Sequence, residues 1–226
     1  MISVLLSVYN LKHDITFSIE SILNQTYKNF ELLIMDDGSE DNTYEVLNDY
    51  QKKYKNIKIF KNEKNLGLTR SLNILIGHSR GDFIARQDSD DLSFPNRLEK
   101  QLQFIEKFNL DGCTTRALIK NVFSIKPNLS FYIPQKQILK IKNPFIHGSL
   151  LIKKNVLLEI GKYDENFYYS QDYKLFSDLI YNNKKIRILK TPLYVLNTQN
   201  NISTIHKSKQ QFYAKHVKKK TIPNIF

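Results

Sequence analysis

One stretch decides how the fold is interpreted, and it reads D-F-I-A-R-Q-D-S-D-D from Asp82 to Asp91. Residues 82–86 have the apolar pattern of a short buried strand, and the carboxylates of Asp88, Asp90 and Asp91 follow directly. Three carboxylates this close repel one another, and hard oxygen ligands of this kind suit a Mg²⁺ or Mn²⁺ ion that also holds phosphate oxygens. Acidic loops are also common on protein surfaces, so the meaning of this one depends on its place in the fold.

The first half of the chain alternates strand patterns with helical patterns. Strands are predicted at residues 2–8, 30–35, 57–60 and 82–86, and helices at about 15–23, 43–54 and 68–78. This alternation is typical of an α/β fold in which a mostly parallel central sheet is flanked by helices on both faces. Ligands of such sheets bind at the carboxyl ends of the strands, where the connecting loops gather. The acidic loop that starts at Asp88 lies at such an end, and so do Tyr9 and the turn that begins at Asp36.

The second half of the chain is less regular. A helix is predicted to begin near Ser93 or Pro95 and to end at about Phe108, and a strand follows at residues 113–119. Residues 120–143 are interpreted as an irregular surface excursion within the same domain. Further elements are predicted as a strand at 149–152, a helix at 154–160 and a helix that begins near Asp172.

Basic residues are concentrated towards the C-terminus. The chain has 226 residues and a formal net charge of +12, and no Asp or Glu follows Asp178. Residues 1–206 are predicted to form one domain and residues 207–226 a basic tail. Such a tail can bind nucleic acid, can bind anionic lipid headgroups, or can simply be solvated.

The composition argues against several classes of protein. The hydrophobic fraction of 41% and the charged fraction of 25% are ordinary for a soluble globular protein. Cys113 is the single cysteine, which fits a reducing compartment. No segment has about 18 uninterrupted apolar residues and the N-terminal run has no basic leader, so we expect a cytoplasmic protein. Nucleic-acid binding is disfavoured because the first 111 residues contain 17 of the 22 Asp and Glu residues.

Seven short segments follow one another in a recognisable order. They are S-V-Y-N at 7–10, S-I-L-N-Q-T-Y at 21–27, D-D-G-S at 36–39, N-L-G-L at 65–68, D-S-D-D with P-N-R-L between 88 and 98, H-G-S at 147–149 and Q-D-Y at 171–173. With this order and spacing the chain resembles the family 2 glycosyltransferases, an inverting group of the GT-A fold that builds bacterial surface polysaccharides and lipooligosaccharides. The resemblance covers residues 2 to about 203 and implies a Rossmann-like, nucleotide-sugar-binding fold.

The resemblance implies a binding site for a nucleotide-sugar donor. The residues that match its donor-binding positions are Ser7, Val8, Tyr9, Asp37, Asn65, Gly67, Arg70 and Asp88. Their types fit this role, because Tyr9 offers a stacking face and the carboxylate of Asp37 can accept an N–H of uracil or guanine. Asp37 could equally belong to a plain turn, and Arg70 could be a solvated side chain on a helix.

The resemblance also implies a metal ion and a catalytic base. Asp90 and Asp88 match the ligands of Mn²⁺ or Mg²⁺, and His206 is a further candidate ligand, since relatives often carry a late histidine. The implied base is Asp172, which would remove the proton of the acceptor hydroxyl as the anomeric carbon is attacked from the opposite face. Relatives carry a glutamate where Gln171 stands here, a change that weakens the electrostatic environment and leaves the base in place. A helix-capping role for Asp172 stays open.

Aromatic residues come directly before the implied base. Tyr168 and Tyr169 are interpreted as a platform for the acceptor, because aromatic faces commonly pack against sugar rings. His147 is interpreted as part of the floor of the acceptor site. Core packing of the tyrosines and a purely structural role for His147 stay open.

These features predict a metal-dependent inverting glycosyltransferase. It would move a sugar from a nucleotide-diphosphate donor, with a UDP-sugar favoured, to a hydroxyl of a glycan or of a lipid-linked acceptor. The basic tail is expected to steer the protein to the anionic inner face of the cytoplasmic membrane, and no nucleic acid is expected as a partner. Two alternatives are a catalytically inactive sugar-nucleotide-binding protein, prompted by Gln171, and a nucleic-acid-binding protein, prompted by the net charge.

Overall fold

Strand β1 (Ile2–Val8) lies near the middle of a nine-stranded sheet in the computed structural model, which describes residues 1–198 and 206–223. The other strands are β2 (Phe30–Asp36), β3 (Ile57–Lys61), β4 (Phe83–Asp88), β5 (Leu92–Ser93), β6 (Gly112–Ile119), β7 (Val122–Lys126), β8 (Leu151–Lys153) and β9 (Ile186–Leu196). The family resemblance ends near residue 203, which lies outside the described residues. The last three residues of the predicted tail also lie outside them.

Helices connect most of these strands. They are α1 (Ile15–Leu23), α2 (Thr43–Lys53), α3 (Leu68–His78), α4 (Arg97–Phe108), α5 (Gln135–Ile138), α6 (Lys154–Glu159), α7 (Gln171–Tyr181) and α8 (Lys207–Lys219). In the described part of the chain, no helix combines the length and the apolar composition that crossing a membrane requires.

The sheet consists of two parallel parts joined by an antiparallel strand. The strand order is β3-β2-β1-β4-β8-β6-β9-β5, and β7 pairs with β6 outside this path. Strands β1 to β4 pair only in parallel with one another, whereas β8 is antiparallel to both β4 and β6. Strands β6 and β9 are again parallel. The predicted α/β fold with a mostly parallel central sheet flanked by helices is therefore confirmed.

The side chains of β1 alternate between two hydrophobic cores. Leu5 packs in one core, which includes Leu72 of α3. Val4 packs in the other core, which includes Ile19 of α1 and Leu98 of α4. Successive side chains of a strand point to opposite faces of the sheet, so the two cores lie on its two faces and helices cover both.

Residues 120–143 contain more regular structure than the sequence pattern indicates. Strand β7 pairs antiparallel with β6, a 3₁₀ turn follows at Leu129–Tyr132, and α5 is a single helical turn. Ile138 and Leu139 are only 3% and 2% exposed, so the segment returns to the core after its outward part. The excursion is therefore attached to the domain at both ends.

The segment predicted as a basic tail is not separate from the domain, and this corrects the predicted boundary at residue 206. Helix α8 packs on α7, and Tyr213 and Val217 are buried in the same core as Leu5. Gln210 also accepts hydrogen bonds from Ser170 N at 3.1 Å and from Ser170 Oγ at 2.8 Å. Tyr213 and Val217 are four residues apart and so lie on one side of the helix, which leaves the lysines of α8 on the exposed side.

Candidate active site

The first candidate residues lie at the carboxyl ends of adjacent parallel strands. Ser7, near the end of β1, is in register with Met35 of β2 and with Asp88 of β4. Val8 is 3% exposed, whereas Tyr9, just beyond the strand, is 43% exposed. The structure therefore brings the start of the predicted donor site and the acidic loop to the same edge of the sheet.

Asp37 links the turn after β2 to the segment after β3. Its carboxylate accepts hydrogen bonds from Asn62 Nδ2 at 2.7 Å and from the backbone N–H groups of Leu66 and Gly67 at 2.9 and 2.8 Å. Asp37 is therefore more than a plain turn residue, because it positions the predicted donor segment 65–67. A base N–H would use the acceptor capacity that these three bonds leave.

Asn65, at the start of that segment, and Arg70, three residues after its end, are both exposed. Arg70 lies in the first turn of α3, and its Nε is 3.3 Å from Oε2 of Glu165, in the loop before α7. A donor phosphate would compete with Glu165 for the Arg70 guanidinium.

Tyr168 packs against Gly67, which is predicted to bind the donor, although the sequence analysis assigns Tyr168 to the acceptor platform. Gly67 has φ of +88°, and a Cβ at this position would lie 2.4 Å from Tyr168 Cε2. Burial raises the pKa of the Tyr168 hydroxyl, and the neighbouring Tyr169 and Asp37 raise it further. Since Gly67 is bonded to Asp37, the Tyr168 ring packs beside the residues predicted to bind the nucleotide.

Tyr169 is a core residue and offers no open face to an acceptor. It is 9% exposed, and its ring centroid lies 5.7 Å from that of Tyr213 in α8. The prediction of a two-tyrosine platform fails at this position because α8, expected to be a solvated tail, covers the loop.

Asp88 is oriented by a buried arginine and by a glycine. Arg86 is 1% exposed, and its guanidinium donates to Asp88 Oδ1 at 2.5 Å and to the Leu5 carbonyl at 2.7 Å. A Cβ at Gly148 would lie 2.5 Å from Asp88 Oδ2, so only glycine leaves room for this carboxylate. The Tyr194 hydroxyl accepts a hydrogen bond from Asp88 N at 3.0 Å, which fixes the backbone at the end of β4.

The next two carboxylates of the loop lie where their charged forms are disfavoured. Burial and the charge of Asp88 raise the pKa of Asp90 to about 6. Burial, together with the charges of Asp88 and Asp90, raises the pKa of Asp91 to about 8. Asp91 Oδ1 accepts a hydrogen bond from Asn197 N at 2.6 Å, so Asp91 holds the loop against the end of β9. A cation beside Asp88 and Asp90 would relieve their repulsion.

Asp88 and Asp90 fit a divalent ion whose shell is completed by substrate. Mg²⁺ is commonly held by one or two carboxylates together with substrate phosphates and water. Across residues 1–198 and 206–223, no three His, Cys, Asp or Glu side chains are arranged to hold a metal ion on their own. The prediction of His206 as a third ligand is therefore not supported. Its ring packs edge to face against Tyr169, with centroids 5.3 Å apart, at the start of α8.

Asp172 is the second residue of α7 and is partly buried. Its Oδ2 accepts a hydrogen bond from Asn143 Nδ2 at 2.8 Å. Burial raises the pKa of the Asp172 carboxyl, the hydrogen bond from Asn143 lowers it, and the charge of Asp88 raises it again. Asp172 is thus close enough to Asp88 to be affected by its charge. A carboxylate with a raised pKa is suited to act as a general base.

His147 belongs to a packed wall of the site. Its Nε2 lies 2.7 Å from the Tyr163 hydroxyl, and Tyr163 is 3% exposed. Burial and the charge of Arg86 lower the pKa of His147 to about 3, so the imidazole is neutral at neutral pH. Burial raises the pKa of the Tyr163 hydroxyl, the charge of Arg86 lowers it, and the charges of Asp88 and Asp172 raise it again. This environment favours the structural role for His147.

Three residues of the site carried no prediction, and they are Arg86, Asn143 and Tyr194. Arg86 does carry a signal, because a charge inside an apolar strand requires a partner. Asn143 and Tyr194 lie 29 and 106 residues from the aspartates that they contact. No local pattern indicates contacts at such separations.

Comparison with known sequences identifies relatives of the chain. The profile of Glycosyl transferase family 2 matches residues 3–176. EpsE of Bacillus subtilis strain 168, which is named as a glycosyltransferase, is 38% identical over 165 residues that cover 72% of this chain and 59% of EpsE. The O-antigen biosynthesis glycosyltransferase WbnJ of Escherichia coli is 34% identical over 239 residues, which cover 99% of this chain and 92% of WbnJ. The chain thus spans less than two thirds of EpsE and nearly all of WbnJ.

Two solved structures share the fold. The S. aureus TarS fragment 1–349 in complex with UDP-GlcNAc has a TM-score of 0.76 at 22% identity, over 88% of this chain and 59% of that chain. The mannosyltransferase PcManGT from Pyrobaculum calidifontis in complex with GDP-Man and Mn²⁺ has a TM-score of 0.74 at 16% identity, over 94% of this chain and 61% of that chain. These likenesses confirm the GT-A fold, and the profile match covers more than half of the sequence. The chain belongs to Glycosyl transferase family 2.

Proposed function

We propose that the chain is a metal-dependent inverting glycosyltransferase. It transfers a sugar from a nucleotide-diphosphate donor, with a UDP-sugar favoured, to a hydroxyl of a glycan or a lipid-linked acceptor. Membership of the family supports transfer in general, and the residues of the site support the finer statements.

The observation that carries the proposal is the relation between Asp172 and Asp88. Residues 143–148 contact both side chains, because Asn143 Nδ2 donates to Asp172 Oδ2 at 2.8 Å and a Cβ at Gly148 would lie 2.5 Å from Asp88 Oδ2. A transferase that inverts in a single displacement needs a base on one side of the sugar and stabilisation of the leaving diphosphate on the other. Asp172 and the acidic loop supply these two groups within one site.

The side chains of this chain divide the work as follows. Asp37 orients the segment that ends at Gly67, and Tyr9 offers an exposed ring on which a nucleobase can stack. Asp90 and Asp88 would hold Mn²⁺ or Mg²⁺, which supplies positive charge to the departing diphosphate. Asp172 accepts the proton of the acceptor hydroxyl, and Asn143 holds its carboxylate in place.

The names of similar proteins support the donor class and the setting. TarS and PcManGT were solved with UDP-GlcNAc and with GDP-Man, which are both nucleotide-diphosphate sugars. WbnJ is named for O-antigen biosynthesis, which supports a role in the synthesis of cell-surface polysaccharide or lipooligosaccharide. Acceptors of this kind support a location in the cytoplasm, at the inner face of the cytoplasmic membrane. The exposed lysines of α8 add to the net positive charge, which favours an anionic surface in general.

Thermal unfolding with a panel of nucleotide sugars tests the donor and the metal. A ligand that binds the folded protein raises its melting temperature by mass action, and we expect an increase of about 5 °C at a concentration about 100 times Kd. One UDP-sugar with Mn²⁺ should give this increase, and Asp90→Asn should reduce it. No increase with any nucleotide sugar, with or without Mn²⁺, would contradict the proposal.

A transfer assay distinguishes an enzyme from an inactive binding protein. The inactive alternative is prompted by Gln171, which stands where relatives carry a glutamate. We expect wild type to release UDP from the selected donor, and Asp172→Asn to bind the donor equally well with no release. The anomeric configuration of the product, read by NMR coupling constants, should be opposite to that of the donor. Donor binding without any turnover in wild type would favour the inactive binding protein.

A further inference from the structure

Residues 120–142, called the excursion below, carry an exposed apolar surface outside the candidate site. Five large apolar side chains are between 39% and 78% exposed there, and they are Val122, Leu129, Tyr132, Ile133 and Ile141. Leu129, at 78%, is more exposed than any other large apolar side chain whose burial is described in residues 1–198 and 206–223. Single exposed apolar residues are ordinary, whereas five within 20 residues make this segment a candidate binding surface.

The excursion is also basic and contains no acidic residue. No Asp or Glu occurs between Asp111 and Glu159. The lysines of the excursion are all exposed, and they are Lys120, Lys126, Lys136, Lys140 and Lys142. Its partner must therefore accept bulky apolar side chains and supply negative charge.

The inner side of the excursion is bonded to α7, the helix that carries the candidate base, and to the turn that follows α7. The Tyr173 hydroxyl donates a hydrogen bond to the Leu139 carbonyl, and Lys136 Nζ donates to Asn183 Oδ1 at 3.0 Å. Directly after the excursion, Asn143 bonds Asp172. A partner of the exposed side would therefore be held next to the first turn of α7.

We propose that the exposed side of the excursion is a docking surface for a lipid bilayer with anionic headgroups. Its apolar side chains enter the boundary between headgroups and acyl chains, and its lysines bind the phosphates around them. Helix α8 offers less for insertion, because Tyr213 and Val217 of its apolar side are buried. Docking through the excursion would present the headgroup of a lipid-linked acceptor near Asp172. That last consequence rests on the proposed glycosyltransferase function, whereas binding to the bilayer does not.

A single tryptophan reports insertion directly, because the chain contains no Trp. The reporter is Leu129→Trp, and the matched control is Phe17→Trp, at a 64% exposed position in α1. We expect the emission of the Leu129→Trp protein to shift to shorter wavelength with vesicles of phosphatidylcholine and phosphatidylglycerol, and less with phosphatidylcholine alone. Phe17→Trp should show no shift. An absent shift at position 129, or equal shifts at both positions, would overturn the proposal.

Vesicle flotation of the otherwise unchanged chain tests the contribution of each surface. Two double variants change the excursion: one carries Leu129→Ser and Ile141→Ser, and the other carries Lys140→Gln and Lys142→Gln. Each should lower the partition into anionic vesicles at least about fivefold. Two double variants outside the excursion are the controls: one carries Phe17→Ser and Leu158→Ser, and the other carries Lys218→Gln and Lys219→Gln in α8. Each control should change the partition into anionic vesicles less than about twofold. Loss of binding with the α8 pair alone would overturn the proposal.

Two further measurements separate the remaining explanations. Sedimentation equilibrium tests whether the surface binds a second copy of the chain. If wild type is a dimer, and the double variant Leu129→Ser with Ile141→Ser is a monomer that binds vesicles as wild type does, the proposal is wrong. The UDP-induced increase in melting temperature, measured on the same variants, reports the donor site separately. If the proposed function is wrong, wild type should show no increase in melting temperature with UDP and should still bind vesicles.

Discussion

The Asp172 carboxyl is under two opposing influences, because burial raises its pKa and the hydrogen bond from Asn143 lowers it. A general base acts in its unprotonated form, so turnover falls as the pH drops through this pKa. Asn143→Ala removes the bond that stabilises the charged form. We therefore expect the acidic limb of kcat to move to higher pH by about one unit. Rates of UDP release between acidic and neutral pH would measure this limb.

The control for this prediction is Asn166→Ala, since Asn166 is exposed and donates two hydrogen bonds to its near neighbour Asp164. In this variant, the acidic limb of kcat should lie at the same pH as in wild type. Asp172→Asn should lack turnover at every pH. An unchanged limb in Asn143→Ala, with kcat simply scaled down, would mean that Asn143 does not act through the charge of Asp172.

Gly67 and Gly161 form a natural pair for testing the contact with Tyr168. Their φ angles are +88° and +87°, but a Cβ at Gly67 meets the Tyr168 ring whereas a Cβ at Gly161 meets nothing within 4 Å. Gly161→Ala should lower the free energy of unfolding by about 1 kcal/mol, from backbone strain alone. Gly67→Ala should lower it by about 1 to 3 kcal/mol more and should weaken binding of UDP. Chemical denaturation and UDP titration measure the two effects.

The double variant Gly67→Ala with Tyr168→Ala isolates the ring contact. It should recover the additional loss of stability, because the added methyl group then meets no aromatic ring. If the double variant stays as unstable as Gly67→Ala, the loss arises from the backbone and not from Tyr168.

At the scale of elements, α8 stabilises the domain through one side of the helix. Tyr213 is 8% exposed and contacts Phe167 and Tyr169, whereas its neighbour Phe212 is 46% exposed. Tyr213→Ala should lower the free energy of unfolding by about 3 kcal/mol, because it leaves a cavity in the core. Phe212→Ala should lower it by less than about 0.5 kcal/mol. Equal small effects in urea denaturation would mean that α8 does not pack on the core in solution.

Local sequence pattern predicts the elements whose buried side chains recur at regular spacing in the sequence. Strand β1 and helix α3 match their predicted ranges, because their apolar residues recur at strand and helical spacing. Strand β9 has no such pattern, since Lys190 and Pro192 interrupt it and its position depends on pairing with β6. Helix α8 was missed as a packed element because only Tyr213 and Val217 mark its buried side among many lysines.

At the scale of the whole molecule, the site combines positions that topology predicts with partners that it does not. Parallel strands bring their carboxyl ends to one edge, so the proximity of Tyr9 to the acidic loop followed from the strand pattern alone. The burial of Tyr169 and the packing of His206 against it could not be predicted, since both depend on how α8 packs against the loop before α7. Tertiary packing therefore decides which side chains at this edge remain available to a ligand.

The acidic loop links the stability of the whole molecule to ligand binding. Asp90 is partly buried beside Asp88, and their repulsion destabilises the folded protein when no cation is bound. Asp90→Asn should therefore raise the free energy of unfolding of the ligand-free protein, by an amount on the order of 1 kcal/mol. The same substitution should reduce the increase in melting temperature that Mn²⁺ and UDP produce together, because a carboxylate ligand is lost. The control is Asp49→Asn, which changes the net charge equally at a 78% exposed side chain and should alter neither quantity. A ligand-free Asp90→Asn protein that is less stable than wild type, with a full response to Mn²⁺ and UDP, would show that Asp90 supports the fold and not the metal.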